Sequence, residues 1–114
     1  MHVNVSGTLH FGTTRILEKI KAVLDDTMTL LSATTNVDRI HEIMKQRDRA
    51  LDQLDEIAKN QMTIEDQEFS EITNGLNDAS EAIEEAVKGM KSVAEAISAI
   101  AEILDKVAAL IAAA

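Results

Sequence analysis

The chain of 114 residues and 12.4 kDa fits a single domain, since domains usually contain about 100 to 150 residues. Apolar residues make up 46% of it and aromatic residues 2%, which excludes a disordered chain and requires an aliphatic core. Proline, cysteine and tryptophan are absent, so disulfides, thiolate zinc sites and cysteine nucleophiles are excluded. With a net charge of −9 the chain lacks the clustered Lys and Arg residues that bind phosphate backbones, so we expect no nucleic-acid partner.

The sequence shows no secretory signal and no membrane span. Residues after Met1 alternate between polar and apolar types instead of forming a continuous apolar run. The apolar stretch at residues 107–114 is far shorter than the roughly 18 residues that a spanning helix needs. We therefore expect a cytoplasmic location, with secretion without a classical signal peptide as the alternative.

Residues 1–12 are predicted to form an extended N-terminal arm. Polar and apolar side chains alternate over residues 2–11, which is the period of a strand. No later segment shows the same period, so the arm has no predicted partner strand within the chain. Because a lone strand leaves its backbone hydrogen-bonding groups unpaired, we expect the arm to pair with a second copy, to pair with another protein, or to stay loose.

Two helices are predicted next, over residues 14–31 and 36–61. Apolar residues recur at helical spacing in the first, and Thr35-Asn36-Val37-Asp38 has the form of a capping box that starts the second. Arg47 interrupts the apolar line of the second helix and is expected to reach solvent or to meet an acid across the seam. That line consists of Val37, Ile40, Met44, Leu51, Leu54 and Ala58, widened by Ile43, Ala50 and Ile57.

A third helix is predicted over residues 64–113, starting at a second capping box, Thr63-Ile64-Glu65-Asp66. It carries a heptad that keeps phase over its whole length, which is typical of a coiled coil with at least one other helix. One core position is occupied by Phe69, Leu76, Ile83, Met90, Ile97, Leu104 and Ile111. The other core position is occupied by Ile72, Ala79, Ala86, Val93, Ile100, Val107 and Ala114.

The pair Asn74-Gly75 tests the continuity of this helix, because Asn-Gly favours turns and glycine costs about 1 kcal/mol in a helix interior. The heptad keeps phase across the pair, so we expect the helix to continue, with a break near Asn74-Gly75 as the alternative. Small residues one heptad apart predict a column along which a partner backbone approaches closely. The members of this column are Gly75, Ala82, Gly89 and Ala96.

The C-terminal half of the third helix is predicted to be an oligomer interface. At 1.5 Å per residue the helix would be roughly 70 Å long, against roughly 27 Å and 37 Å for the first two. Neither covers it alone, so part of the heptad seam should stay exposed and seek a partner. The expected interface residues are Met90, Val93, Ile97, Ile100, Leu104, Val107 and Ile111.

Residues 65–85 contain eight acids and no base. The simpler interpretation is a solvated outer face. The functional interpretation is a docking surface for a basic partner, or a repulsive surface that forbids one alignment of identical chains. The acids of this face are Glu65, Asp66, Glu68, Glu71, Asp78, Glu81, Glu84 and Glu85.

Catalytic chemistry has little support in this sequence. His41 follows Asp38 by one helical turn, as in helical metal sites, but a second such pair is missing. We interpret His41 as a surface histidine, with phosphoryl transfer and metal binding as the weaker alternatives. Phosphate loops, nucleophile elbows and zinc motifs are absent, so we predict no enzyme activity, no cofactor and no metal.

The sequence predicts an all-α fold, namely an antiparallel helical hairpin or bundle with one long C-terminal coiled-coil helix after a short extended segment. The expected function is that of a non-enzymatic helical assembly or adaptor protein that self-associates through the C-terminal heptad seam. One alternative is a small acidic regulator or chaperone that binds a helical or basic target protein. The other is a membrane-active or secreted helical component, although a membrane-surface helix usually carries Lys and Arg on its polar side.

Overall fold

Four helices of nearly equal length form an all-α bundle, which confirms the predicted fold class. The computed structural model describes residues 9–10, 12–60 and 62–113. Two short strands, β1 (Leu9–His10) and β2 (Ile64–Glu65), precede the first and third helices. The helices are α1 (Thr13–Ala33), α2 (Val37–Lys59), α3 (Asp66–Val87) and α4 (Val93–Ala113).

The single long C-terminal helix predicted over residues 64–113 is wrong, because the chain turns between Val87 and Val93. Gly89 has φ of +79°, a conformation that favours glycine. The Gly89 N–H donates to the Ala86 carbonyl, and the Met90 N–H donates to the Glu85 carbonyl at 2.8 Å. These two bonds form a Schellman motif, which satisfies the last carbonyls of α3 and reverses the chain.

A capping box starts α4 directly after this turn. The Ser92 hydroxyl accepts from the Glu95 N–H at 3.1 Å, and the Glu95 carboxylate accepts from the Ser92 N–H at 3.2 Å. The backbone and hydroxyl hydrogen bonds from Ser92 lower the pKa of Glu95 below its ordinary value. Ser92 and Glu95 therefore supply the start signal that separates α4 from α3.

Helix α3 passes through Asn74-Gly75 without interruption, so the alternative of a break there is also wrong. The side chain of Ile103 lies where a Cβ atom on Gly75 would be, which shows how closely α3 and α4 approach. Glycine at this position thus serves packing between two helices, and glycine at position 89 serves the turn.

The four helices are arranged so that α1 and α4 each pack against both α2 and α3. Gly12, just before α1, lies against Phe69 near the start of α3, and Lys19 Nζ donates to Asn77 Oδ1 at 2.8 Å. The helices α1 and α3 therefore run parallel. Because the chain reverses at both helix–helix turns, α2 and α4 run parallel as well, and residues 60–65 connect diagonally opposite helices.

The core is aliphatic, as the composition requires, and it draws on all four helices. Ile16, Ile43, Leu76 and Leu104 represent one fully buried side chain from each helix. Helices of 21 to 23 residues are roughly 32 to 35 Å long, so each can cover its neighbours from end to end. The apolar face of residues 93–113 is thus covered by the chain's own α2 and α3.

The end of the predicted N-terminal arm pairs within the chain. β1 runs antiparallel to β2, with Leu9 opposite Glu65 and His10 opposite Ile64. The two pairings expected for the arm, with a second copy or with another protein, did not include this one, because Ile64-Glu65 was assigned to the third helix; residues 1–8 and 11 lie outside the described residues. Glu65 is the N-cap of α3 and makes no side-chain capping bond, so α3 begins at Asp66 and not at the Thr63 cap predicted from residues 63–66.

The turn between α1 and α2 uses a different cap from the predicted one. The Asn36 side chain accepts from the Arg39 N–H at 3.1 Å, so Asn36 rather than Thr35 is the N-cap of α2. Thr34 ends α1, because its hydroxyl donates to the Leu30 carbonyl and its N–H to the Leu31 carbonyl. This short connection holds α1 and α2 as an antiparallel hairpin.

Candidate interaction surface

The predicted oligomer interface is placed mainly inside the bundle. Ile97, Ile100, Leu104 and Val107 are buried, and Val93 and Ile111 are partly buried against the same core. Met90 is 73% exposed because it lies in the turn between α3 and α4. The expectation that this seam needs a second chain is wrong, because α4 folds back onto α3 and packs against α2.

The close-packing column is divided by the same turn. Gly75 lies against Ile103, and Ala82 and Ala96 are buried. Gly89 belongs to the turn, where a Cβ atom would meet no other atom within 4 Å. The prediction that Gly89 belongs to the column is therefore wrong, because glycine at this position serves the conformation of the turn.

The eight acids of the acidic face lie on β2 and α3. Seven are exposed and Glu85 is half-buried, with Lys91 Nζ at 3.2 Å from its Oε1. Two open grooves run between α3 and α4 beside this face. The first, of about 230 Å³, is lined by Glu68, Glu71, Ile72, Lys106, Ala109 and Leu110. The second, of about 160 Å³, is lined by Gly75, Asp78, Ala79, Ala99, Glu102, Ile103 and Lys106.

Four large apolar side chains are about half exposed on α1 and α2. Met28 is 53% exposed, Val37 63%, Met44 51% and Leu51 46%. We call these four residues the hairpin face. The three on α2 are spaced by seven residues, so they form one stripe along the helix.

Helix geometry places the hairpin face on the outer side of the α1/α2 pair. Gln53 of α2 faces α4, since its Nε2 donates to the Leu104 carbonyl at 2.9 Å. Met44 precedes Gln53 by nine residues and so lies roughly 180° around α2, away from α4. Met28 likewise lies roughly 180° around α1 from Lys19, which bonds α3. Both methionines therefore lie towards the outer groove between α1 and α2, at nearly the same level of the hairpin.

Two further observations describe the edges of this stripe. Arg47 is half-buried on the side nearer α1, and its Nε is buried without a hydrogen-bond partner among the residues that the structure describes. His41, Asp48 and Asp55 are exposed on the other side. The stripe is thus bordered by a cation on one side and by a histidine and two acids on the other.

The prediction that the whole apolar line of α2 faces its neighbours is wrong for the α2 stripe. Helix α2 carries two apolar lines, and the structure buries Ile43, Ala50 and Ile57 while Val37, Met44 and Leu51 stay at the surface. The sequence signal was the breadth of the apolar arc, which exceeds what two neighbouring helices cover. Met28 had no distinguishing signal beyond its place one turn after Leu24.

Metal ligands do not cluster in the part of the chain that the structure describes. His41 is exposed, and no group of three or more His, Asp or Glu side chains among the described residues could hold a metal ion. Among the described helices, none has both the length and the apolar character that crossing a membrane requires.

Comparison of the chain with protein-family models, with curated proteins and with solved structures finds no match.

Proposed function

We propose that the chain is a non-enzymatic helical assembly protein whose activity is self-association through the hairpin face. One observation carries this proposal: four large apolar side chains, each about half exposed, lie on one face of α1 and α2. Single exposed apolar residues are common on protein surfaces, whereas an aligned group of them is typical of an interaction site. The heptad spacing of the α2 stripe favours another helix as the contacting element.

Molar mass by light scattering, measured at concentrations from about 1 to 100 µM, tests this proposal over the range of modest affinities. We expect a mass above the 12.4 kDa of one chain that rises with concentration. A mass of one chain at every concentration would contradict self-association.

The grooves between α3 and α4 support a second candidate, an acidic regulator that binds a basic amphipathic helix. Ile72 and Leu110 provide apolar lining in the first groove, and Glu68 and Glu71 lie beside them. A basic helix would place its apolar side in the groove and its Lys or Arg side chains on the acids.

Titration with a Lys-rich amphipathic peptide, followed by calorimetry at two salt concentrations, tests this second candidate. We expect binding that weakens as salt rises, because exposed charges are screened beyond about 8 Å at physiological ionic strength. Glu71→Lys should weaken this binding, and Glu42→Lys, an exposed acid on α2, is the matched control. Binding that is insensitive to both salt and Glu71→Lys would exclude the groove.

A further inference from the structure

The apolar stripe of α2 is symmetric about its central residue. Val37 lies seven residues before Met44 and Leu51 seven residues after it, which places each about 10.5 Å from Met44 along the helix. An antiparallel copy centred on Met44 would therefore set Met44 against Met44, and Val37 against Leu51 of the partner subunit. Such a contact is isologous, the type found in twofold dimers.

One contact beside the stripe fits the same alignment. Residues that face each other across an antiparallel pair centred on Met44 have numbers that sum to about 88, so His41 would face Asp48 of the partner subunit. A parallel twofold pair would set opposite flanks of the stripe against each other, so His41 and Asp48, which share a flank, would not meet. It would also leave each α1 beside the partner subunit and not against its α1, so only the α2 part of the hairpin face would be covered.

The distribution of charge over the whole chain favours this face over any other. Residues 1–61 carry 8 basic and 9 acidic side chains, a net −1, whereas residues 62–114 carry 3 and 11, a net −8. Contact through α1 and α2 brings the nearly neutral halves together. It leaves α3, which lies diagonally opposite α2 and carries most of the acidic face, pointing away from the partner.

The size of the face suits a dimer. Helix α2 is about 35 Å long, and two adjacent helices are about 20 Å wide, so the α1/α2 face projects roughly 700 Å² per copy. Stable interfaces bury about 800 Å² per partner. A membrane surface fits less well, because Asp48 and Asp55 would face anionic headgroups.

We propose that two copies of this chain associate through their α2 helices in an antiparallel pair centred on Met44. This inference rests on the proposed function and specifies its surface and its alignment. Each copy supplies the same stripe, with Val37 and Leu51 exchanging places across the twofold axis.

The first experiment replaces the central residue in the intact chain. Met44→Glu sets two carboxylates against each other at the axis, and we expect the dimer dissociation constant to rise at least about 100-fold. Met44 is half exposed in one chain, so helix content should not change. Met90→Glu is the matched control, since Met90 is also exposed but lies in the α3–α4 turn. The mass of the Met90→Glu protein should equal that of the unchanged chain.

The second experiment maps the alignment with disulfides, which is possible because the chain has no cysteine of its own. Under mild oxidation Met44→Cys should crosslink with itself, and Val37→Cys should crosslink with Leu51→Cys more than either does alone. Disulfides form when Cα atoms come within about 7 Å, so efficient pairing reports direct opposition.

The outcomes separate this inference from the proposed function. If the unchanged chain has the mass of one copy, self-association fails together with the inference. If it forms oligomers whose mass Met44→Glu does not alter, self-association stands and the α2 surface is wrong. If Val37→Cys pairs with itself in preference to Leu51→Cys, the antiparallel alignment is wrong.

Discussion

The side chain of Ile103 on α4 occupies the space in which a Cβ atom on Gly75 of α3 would lie. Ile103 is 3% exposed, and its Cδ1 and Cγ1 atoms are the ones nearest to that Cβ position. The contact joins the two helices of the C-terminal hairpin, a segment that was predicted to be one continuous helix. An alanine at position 75 would therefore have two opposite effects, because it would raise the helix propensity and overlap with Ile103.

We expect Gly75→Ala to destabilise the protein by about 1 kcal/mol, because overpacking costs about 1–3 kcal/mol and the gain in helix propensity is about 1 kcal/mol. Ile103→Val removes the Cδ1 atom nearest to that Cβ position and alone should cost about 0.5–1.5 kcal/mol. The double variant should lose about 1 kcal/mol less stability than the sum of the two single losses. Denaturant unfolding of all four proteins measures this coupling, and strict additivity would show that the two residues do not clash.

The turn between α3 and α4 should depend on glycine at position 89. Gly89→Ala places a side chain at φ of +79°, which costs about 1–2 kcal/mol for an L-residue. Gly89→Asn should cost less, since asparagine tolerates this conformation better. Thermal unfolding of both variants tests the order Gly, Asn, Ala, and an unchanged melting temperature in Gly89→Ala would contradict the turn.

The start of α4 should depend on Ser92. Ser92→Ala removes the N-cap and should cost about 1 kcal/mol, whereas Ser98→Ala at an exposed position inside α4 should cost nothing. Because the pKa of Glu95 is lowered on folding, its contribution to stability is lost as pH falls through the folded pKa. The cost of Ser92→Ala should therefore shrink in acid. Melting curves of both serine variants at neutral and acidic pH check this, and equal costs at the two positions would argue against the capping box.

The all-α class followed from the sequence because aliphatic residues recur at helical spacing in every long segment. The C-terminal hairpin did not, because Ile83, Met90 and Ile97 keep their seven-residue spacing across the turn. A heptad that keeps phase through a turn has the same pattern as one continuous helix. The local evidence was Gly89 followed by Ser92 and Glu95, a helix stop followed by a helix start.

The interaction surface was harder to predict for a different physical reason. Helix α2 carries two apolar lines, and local sequence does not decide which one meets the neighbouring helices. That choice depends on how α1 and α4 approach, and they cover Ile43 and Ile57 rather than Met44 and Leu51. The apolar arc was visible in the sequence, but the exposed part of it was not.

Gln53 provides a test of the α2–α4 contact. It is buried, and its Nε2 donates to the Leu104 carbonyl, while its Oε1 lacks a hydrogen-bond partner among the described residues. An unpaired buried acceptor costs about 1–3 kcal/mol, so Gln53→Met should be neutral or stabilising by up to about 1 kcal/mol. Gln53→Ala leaves a cavity and should destabilise by about 2 kcal/mol. Denaturant unfolding distinguishes the two, and a large loss in Gln53→Met would show that the amide is fully satisfied.

Asp26 on α1 should make the stability of the bundle depend on pH. Partial burial raises the pKa of Asp26 above its ordinary value, and the negative charges of Glu84 on α3 and the adjacent Asp25 raise it further. The Ser80 hydroxyl acts in the opposite direction. The folded chain therefore keeps the Asp26 proton at a higher pH than the unfolded chain does. The resulting stability is fully present below about pH 3.9, the ordinary aspartate pKa, and is lost as pH rises through the folded pKa.

Asp26→Asn removes this penalty while keeping a side chain that can bond Ser80. At pH 7 we expect stabilisation of about 0.2–1 kcal/mol, the range for charge pairs that solvent screens. Below the ordinary aspartate pKa the variant and the unchanged chain should unfold at the same temperature, since both then carry a neutral side chain. Asp25→Asn, which removes the same charge from an exposed position, should stabilise less. Melting temperatures of the three proteins across this pH range measure the effect, and a variant that gains equally at every pH would show that burial of the Asp26 charge is not the cause.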